Sequence, residues 1–378
     1  MGLLDGPRSG LRHAVIGFWR ELFLMTNAQL GKFSMAWYGN LLLALFLAAS
    51  ALPSVCAEPA PEFATPYAER ADVAAYVAEL ATAHGFDAQA LAALLGQVRQ
   101  RQDIIERISK PAESVWTWAR YQKHLVDEAR VAQGVAFWAE HETTLSQAEA
   151  TYGVPAHYIL AILGIETRYG KITGSFPVLE ALMTLGFDYP PRAPFFRKEL
   201  TEFLLLAREE GKDPRTLYGS YAGAMGYGQF ISSSYRHYAV DFDDDGVRDI
   251  WQDPDDAIGS VANYFARHRW QGDGPVTFAV SVQGDRAQAL ANASLQPQHT
   301  LAEWQAMGVA WPTAAAPAST LSPELPAALF KLDGAAGDEY WLGLHDFYVI
   351  TRYNHSHMYA MAVHQLAQLI KARRAAED

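Results

Sequence analysis

The segment His157–Tyr169 restricts the fold more than any other part of the chain, because apolar residues face every side of it. Pro155 stands just before the segment, where proline favours the start of a helix, and Gly170 follows it. A helix that is apolar all round must be buried on all sides. The sequence therefore predicts a fold in which other elements surround this helix.

Glu166 is the acidic residue within this apolar helix, in phase with Ile159 and Ile162. An ionised carboxylate is costly in such a place unless it is paired, and desolvation raises its pKa. A carboxylic acid that stays protonated near neutral pH can act as a general acid. The periodicity supports equally the alternative that Glu166 forms a buried ion pair with Arg168 or another arginine.

The composition of the 378 residues narrows the class of protein further. Half of the residues are hydrophobic and 12% are aromatic, which supplies ample material for a core and excludes disorder over most of the length. A formal net charge of −12 argues against a broad nucleic-acid surface. The chain has a single cysteine, Cys56, so a disulfide scaffold and a cysteine-rich zinc site are excluded.

Helical periodicity extends over most of the chain after residue 66. We predict further helices over residues 71–83, 87–97, 131–152, 179–185, 195–210, 256–268 and 358–374. Two stretches, 276–282 and 340–350, are rich in β-branched and aromatic residues and are predicted to be strands, with a linker over 313–326 between them. The predicted fold class is mainly α (α+β), with a small β-containing part.

The residues over 1–57 have the features of a leader for export. Residues 41–49 are an uninterrupted apolar run too short for a comfortable transmembrane helix, and Val55-Cys56-Ala57 presents the small residues that signal peptidase prefers. We therefore expect cleavage after Ala57 and an exported, periplasmic protein. The alternatives are an uncleaved membrane anchor and lipidation of Cys56, which would attach the chain to the outer membrane.

A glycine-rich stretch, Gly219–Phe230, places polar side chains between its glycines. Glycine lets the backbone approach a ligand closely, and tyrosine and glutamine offer the flat faces and hydrogen-bond donors that hold sugars. A flexible surface loop is the alternative, although Met225 and Phe230 favour burial. The stretch is therefore predicted to form part of a ligand site.

The acidic segment Asp241–Asp249 has the alternating carboxylates and the glycine of an EF-hand calcium loop. The spacing predicts three carboxylate ligands and one backbone carbonyl ligand: Asp241, Asp243, Asp245 and Val247. The twelfth position holds Gln252 instead of the usual bidentate glutamate, which predicts a modest affinity. A solvated acidic turn and an aspartate-rich N-cap are the alternatives.

Three motifs, in this order, resemble the membrane-bound lytic transglycosylase B family: Ile165–Gly170, Gly223–Phe230 and Ala262–Phe265. The resemblance extends from about Trp116 to Asn354, which is most of the chain after the leader. It implies a lysozyme-like core and cleavage of the β-1,4 bond between N-acetylmuramic acid and N-acetylglucosamine in peptidoglycan. The implied product is a 1,6-anhydromuramic end. Glu166 matches the family's single catalytic acid/base, which the substrate's own acetamido group assists.

The resemblance also implies which residues contact the glycan and the metal. The matched substrate-binding positions are Ser220, Gln229, Tyr264, Tyr353, Asn354, Tyr121 and Arg192. Core packing or loop structure is the alternative for each of them, chiefly for Tyr121 and Tyr353. Asp256 matches the acid that closes the family's calcium loop, so Ca²⁺ is the expected structural cofactor, and no organic cofactor is expected. Pro191 stands where a second arginine is usual, which puts in doubt how strongly the enzyme holds peptide-stem carboxylates.

These expectations divide the chain into four parts. A leader over 1–57 is followed by an N-terminal helical region over 58–135 and a lysozyme-like catalytic core over 136–270, with the calcium loop at 241–256. The C-terminal region over 271–378 has short strands and a final helix that packs on the core. The expected partners of this monomer are peptidoglycan glycan strands and the cell-wall synthesis machinery, and not nucleic acid. Two other functions stay open, a hydrolysing lysozyme-type muramidase and a non-catalytic peptidoglycan-binding protein.

Overall fold

A computed structural model describes residues 65–110, 116–311 and 321–377 of the chain. The predicted leader, with Cys56, and the first residues of the predicted N-terminal region lie outside the described residues. The chain divides between residues 100 and 101 into two compact units. Within the described ranges, none of the helices is both long enough and apolar enough to cross a membrane.

The first unit contains a 3₁₀ turn at Tyr67–Glu69 and two helices, α1 (Ala71–His84) and α2 (Ala88–Gly96). Gly85 follows the last residue of α1, and its φ of 67° is a left-handed conformation that glycine adopts without steric cost. Asp87 caps α2, because its side chain accepts a hydrogen bond from a backbone N–H of the first turn. The predicted helices over 71–83 and 87–97 are therefore confirmed.

The second unit contains the elements that carry the sequence motifs. Its helices are α3 (Gln102–Ser109), α4 (Trp118–Leu125), α5 (Glu128–Glu140), α6 (Glu142–Tyr152), α7 (Ala156–Thr167), α8 (Val178–Phe187), α9 (Ala193–Glu209), α10 (Ser232–Tyr238), α11 (Pro254–Arg267), α12 (Asp285–Leu290), α13 (Leu301–Ala306), α14 (His345–Tyr353) and α15 (His357–Glu377). Its strands are β1 (Phe176–Pro177), β2 (Tyr218–Gly219), β3 (Thr277–Val282), β4 (His299–Thr300), β5 (Val309–Ala310), β6 (Pro326–Gly334) and β7 (Gly337–Gly343).

The uniformly apolar helix α7 lies at the centre of the second unit, and every residue from Ala156 to Thr167 is buried. The helices α5, α6, α11 and α15 contact it. A helix without a polar face can only be stable when its neighbours cover it in this way. The prediction of a buried helix inside a helical core is confirmed.

The β-containing part is an antiparallel sheet of five strands in the order β4-β6-β7-β3-β5. β6 and β7 form a hairpin that closes at Gly334 and Gly337. The sheet has its own apolar cluster, to which several elements contribute: Phe278, Trp304, Leu329 and Leu342. A separate pair of short strands joins β1 to β2, with Phe176 opposite Gly219. The strand predicted over 276–282 is confirmed as β3.

The predicted helix over 131–152 is wrong in its continuity, because two helices, α5 and α6, occupy this range. The break falls at His141, whose φ of −115° and ψ of 30° are not helical. Both helices bury apolar side chains in the same core, so the apolar period continues across the break and hides it. α5 also runs through residue 135, and the predicted domain limits at 135 and 270 stay predictions.

The predicted strand over 340–350 is wrong in its second half. β7 ends at Gly343, and α14 begins at His345. Phe347 and Ile350 are buried and three residues apart, which is helical spacing, but their aromatic and β-branched character also fits a strand. The sequence pattern does not predict strand β6, which begins at Pro326, where the predicted linker ends.

Candidate active site

Glu166 lies in the last turn of α7 and is 8% exposed. Burial raises the pKa of its carboxyl to about 7. The hydroxyl of Tyr359 donates a hydrogen bond to Glu166 Oε1 at 2.6 Å. This bond acts against the effect of burial, because it stabilises the ionised carboxylate. The pKa is shifted in the direction that the apolar helix predicts.

Arg168 follows Glu166 by two residues but does not pair with it. The guanidinium of Arg168 donates to Asp127 at 3.2 Å, and its φ of 52° turns the backbone away from the helix at the end of α7. Within the described part of the chain, Glu166 has no ion pair and no charged neighbour that shifts its pKa. The alternative of a buried ion pair at Glu166 is therefore wrong.

Three tyrosines from different helices lie in the region of Glu166, and one of them binds it directly. Tyr359 of α15 is 2% exposed and binds the carboxyl directly. Tyr353, the last residue of α14, interacts electrostatically with Glu166, and its hydroxyl donates to the carbonyl of Gly228. Tyr121 of α4 is buried and interacts electrostatically with Tyr359. The fold thus brings the predicted Tyr121 and Tyr353 to the region of the carboxyl.

Tyr264 and Asn354 adjoin this group of tyrosines. The ring centroids of Tyr264 and Tyr353 are 4.7 Å apart, and the Tyr264 hydroxyl donates to Arg352 O at 2.6 Å. Asn354 follows Tyr353 directly and is 8% exposed. The ring of Phe230 lies 5.9 Å from the rings of both Tyr264 and Tyr353. The structure therefore joins these predicted residues to the end of the glycine-rich stretch.

The glycine-rich stretch Gly219–Phe230 is ordered against α7. Met225 forms β-bridges with Gly219 and Phe230, and both Met225 and Phe230 are buried. Thr167 Oγ1, in the residue after Glu166, donates to the backbone carbonyl of Tyr227 at 2.8 Å. The alternative of a flexible surface loop is therefore wrong.

Two polar residues of this stretch use part of their hydrogen-bonding capacity inside the protein. Ser220 Oγ accepts from the backbone N–H of Ala224 at 3.0 Å, which leaves its own O–H to donate. Gln229 Nε2 donates to the carbonyls of Thr173 and Gly226, each at 3.0 Å. Because both amide hydrogens are used, Oε1 is the atom of Gln229 that can accept a bond from a ligand.

Arg192 ends the 3₁₀ turn Pro190–Arg192 that precedes α9. Its guanidinium carbon lies 4.4 Å from the ring centroid of Phe195 and 5.3 Å from that of Phe196. Burial lowers the pKa of this guanidinium, which nevertheless stays charged in proteins. The two cation–π contacts anchor the group to the first turn of α9.

The acidic loop brings carboxylates together in two overlapping groups. The oxygens of Asp241, Asp243 and Asp256 lie within 4.8 Å of one another, and so do those of Asp243, Asp245 and Asp253. Four of these residues were predicted from the sequence or the resemblance, whereas Asp253 was not. Carboxylate oxygens at this spacing are the donors that a hard cation such as Ca²⁺ prefers, so the residues present fit a calcium ion.

Asp256 closes the acidic loop from the head of α11 and is fully buried. Its two carboxylate oxygens accept backbone N–H bonds from Phe242 and Asp249, each at 2.6 Å. Burial raises the pKa of Asp256 to about 6, and the carboxylates of Asp253 and Asp243 act in the same direction. Such a site favours a cation among its oxygens, because the carboxylates otherwise repel one another.

The chain is similar in sequence to known peptidoglycan-cleaving enzymes. A profile of the transglycosylase SLT domain matches residues 68–368. The chain is also 40% identical over 324 residues to the membrane-bound lytic murein transglycosylase B of Escherichia coli (strain K12), which covers 82% of this chain and 85% of that protein. The chain belongs to the transglycosylase SLT-domain family. The family predicted from the three ordered motifs is therefore confirmed.

Solved structures of similar transglycosylases have the same fold. The soluble lytic transglycosylase SltB1 of Pseudomonas aeruginosa is 48% identical, with a TM-score of 0.76 over 80% of this chain and 99% of that one. Slt35 of E. coli in complex with calcium is 41% identical, with a TM-score of 0.71 over 82% and 94%. SltB3 of P. aeruginosa in complex with NAG-anhNAM-pentapeptide is 33% identical, with a TM-score of 0.68 over 79% of each chain. The predicted fold class, a lysozyme-like helical core with a small β-containing part, is confirmed.

Two residues of this transglycosylase were missed by sequence reasoning. Tyr359 lies 193 positions after its partner Glu166, and no local pattern in α15 distinguishes it from a packing tyrosine. Asp253 does have a local signal, because it precedes Pro254 and caps α11 by accepting from the N–H groups of Asp255 and Asp256. A helix cap and a metal ligand use the same residue type, so the signal alone does not separate them.

Proposed function

We propose that this lytic transglycosylase cleaves the β-1,4 bond between N-acetylmuramic acid and N-acetylglucosamine in peptidoglycan, with Glu166 as the single acid/base. The observation that carries the proposal is one buried carboxyl whose pKa is about 7 and whose only described side-chain partner is a tyrosine hydroxyl. Below pH 7 most of this group is protonated, and it can donate its proton. Near pH 7 its conjugate base is also accessible, as a two-step acid/base reaction requires.

One carboxyl group is enough for the whole reaction, because it acts first as the acid and then as the base. Glu166 transfers its proton to the glycosidic oxygen as the bond to C1 of the muramic acid breaks, and the substrate's acetamido oxygen stabilises C1. The resulting carboxylate accepts the proton of the C6 hydroxyl as that oxygen bonds to C1, which gives the 1,6-anhydro ring and restores the acid. Tyr359 supports the intermediate state, because its hydroxyl stabilises the ionised carboxylate.

A second carboxylate is not needed in this scheme, as in other substrate-assisted reactions. In agreement, none of the described carboxylates shifts the pKa of Glu166. We assign the glycan contacts to the side chains that the resemblance implies: Ser220, Gln229, Tyr264, Tyr353, Asn354 and Tyr121. Arg192 is assigned to a stem-peptide carboxylate, on account of its charge and of its contacts with the first turn of α9.

Glu166→Gln tests the proposal, because it keeps the shape of the side chain and removes its acid. We expect the variant to bind murein sacculi and to release no soluble fragments. Glu199→Gln is the control, since Glu199 is also buried but binds Ser233 at the start of α10. We expect it to lower the melting temperature and to retain turnover. Wild-type turnover in Glu166→Gln would refute the role of this residue.

Mass spectrometry of the products separates the transglycosylase from the two alternatives. Anhydro ends are lighter by one water than the reducing ends that a hydrolysing muramidase leaves. Bound sacculi without any released fragments would indicate a non-catalytic binding protein. SltB3 in complex with NAG-anhNAM-pentapeptide supports the anhydro product for this relative, and the proposal extends it to the present chain.

We infer that the acidic loop holds a structural calcium ion with Asp241, Asp243, Asp245, the Val247 carbonyl and Asp256 as ligands. Two groups of three carboxylates, which share Asp243 and each have oxygens within 4.8 Å of one another, support this assignment, and so does the complex of the relative Slt35 with calcium. A bound ion would join the loop to the start of α11 by neutralising the carboxylates between them. Calcium titration should raise the melting temperature, and no change up to millimolar calcium would refute the site.

The substrate implies the compartment, so we propose that the protein is exported and acts on glycan strands in the cell envelope. The E. coli relative at 40% identity is membrane-bound, which supports an envelope location. Periplasmic release or attachment to the outer membrane depends on how residues 53–57 are processed. Sequencing the N-terminus of the mature protein distinguishes cleavage after Ala57 from a lipidated Cys56.

A further inference from the structure

The chain leaves α7 through three consecutive residues in the left-handed conformation. Arg168, Tyr169 and Gly170 have φ values of 52°, 60° and 81°. Residues with a side chain rarely adopt this conformation, and here two of them do so directly after the helix turn that carries Glu166. Surrounding contacts must therefore hold this backbone, and those contacts identify what fixes the end of the helix.

Tyr169 is fixed in a notch between two helices. Its side chain is buried, and its hydroxyl donates to the backbone carbonyl of Arg130 in α5 at 3.0 Å. Gly134 of α5 and Gly164 of α7 form the two sides of the notch, because a Cβ on either would lie 2.5 Å from the hydroxyl oxygen. Both helices thus leave space for this one atom.

Arg130 ties the same notch to the last turn of α7. Its guanidinium is 1% exposed, and Nε donates to the carbonyl of Gly164 at 2.9 Å. Nη1 donates to Leu125 O at 2.6 Å and to Asp127 Oδ2 at 2.9 Å, which holds the guanidinium in place. Arg130 therefore binds the turn of Glu166 through its side chain and binds Tyr169 through its backbone.

We propose that Tyr169 is a positioning residue, which sets the direction of the Glu166 carboxyl by locking the exit of α7 onto Arg130. The inference rests on the proposed catalytic role of Glu166. Glu166 lies between the two points at which α5 holds the chain, the Gly164 carbonyl and the Tyr169 hydroxyl. Loss of the hydrogen bond from the Tyr169 hydroxyl lets the last turn of α7 relax. A small displacement of the Glu166 carboxyl then slows proton transfer more than it weakens glycan binding.

Tyr169→Phe tests the proposal, because it keeps the ring and removes the hydroxyl. With a soluble murein oligosaccharide, we expect kcat to fall about tenfold, with KM within about twofold of wild type. Tyr235→Phe is the matched control, since this buried hydroxyl also donates to a backbone carbonyl, that of Arg248, at 2.9 Å. We expect the two variants to lose similar amounts of melting temperature, while Tyr235→Phe keeps the wild-type kcat.

Gly134→Ala is a second variant that displaces the same hydroxyl from the side of α5, and we expect it to lower kcat in the same way. Equal kcat values in Tyr169→Phe and Tyr235→Phe would overturn the proposal, and so would a loss confined to KM. An inactive wild type, or turnover in Glu166→Gln, would instead refute the proposed function. These last results do not involve Tyr169, so the two failures are distinguishable.

Discussion

Glu166→Gln should remove a fall in stability that the wild type undergoes at alkaline pH, and it should also remove turnover. The pKa of the buried carboxyl is about 7 in the folded protein, against an ordinary value of 4.5. Below pH 4.5 the group is neutral whether the chain is folded or unfolded, so its titration contributes nothing. As the pH rises towards 7, the unfolded chain loses the proton and the folded chain keeps it, so wild-type stability falls.

The size of this effect follows from the two pKa values. Each pH unit between 4.5 and about 7 is worth about 1.4 kcal/mol, so the wild type loses about 3 kcal/mol of unfolding free energy by pH 8. The glutamine variant does not titrate and does not lose it. The buried amide adds a cost of about 1–3 kcal/mol for its unpaired N–H groups, but this cost is independent of pH.

Urea denaturation of both proteins at pH 5 and pH 8 measures the effect. The difference in unfolding free energy, variant minus wild type, should increase by about 2–3 kcal/mol between these pH values. The change with pH is the quantity to compare, because it cancels the constant cost of the amide. A difference that stays the same at both pH values would refute the assignment of a raised pKa to this residue, and a decrease would reverse its sign.

Three further predictions test other parts of the site. Tyr359→Phe should raise the pKa of Glu166, because the tyrosine hydroxyl stabilises the ionised carboxylate. The alkaline limb of the pH profile of kcat/KM should therefore move to higher pH, and a limb that does not move would contradict this role of Tyr359. Gly226→Ala should lower the free energy of unfolding by about 2–4 kcal/mol, because the new Cβ would lie 2.3 Å from a backbone carbonyl oxygen. Gly85 has the same φ of 67° but lies in open space, so Gly85→Ala should lower it by about 1 kcal/mol. Urea denaturation measures both values, and equal losses would argue against the collision at Gly226. Asp256→Asn should abolish the rise in melting temperature with calcium, and a rise equal to that of the wild type would exclude Asp256 as a ligand.

Local sequence pattern was enough to predict those features of the protein that do not depend on which particular elements lie next to them. A helix that is apolar on every side must be covered by something, so its burial and the raised pKa of Glu166 follow whichever elements cover it. The acidic loop is nearly as local, since each of its two groups of carboxylates is completed by an aspartate from the start of α11, only a few residues later in the chain. The order of the three motifs was enough to predict the family and the fold class.

The tertiary structure alone decided the residues whose role depends on distant partners. Tyr359 binds Glu166 because α15 packs on α7, and nothing within α15 encodes that contact. The segment after Gly343 becomes helix α14 instead of a longer strand, since Phe347 and Ile350 suit both forms and their burial in the packed core selects one. Arg168 lies only two residues after Glu166 but binds Asp127, because the left-handed exit of α7 directs the two side chains to different neighbours. The hydrophobic periodicity of a helix predicts how much of it is buried. The hydrogen-bond partner of a buried polar side chain depends instead on distances between elements, which only the folded structure defines.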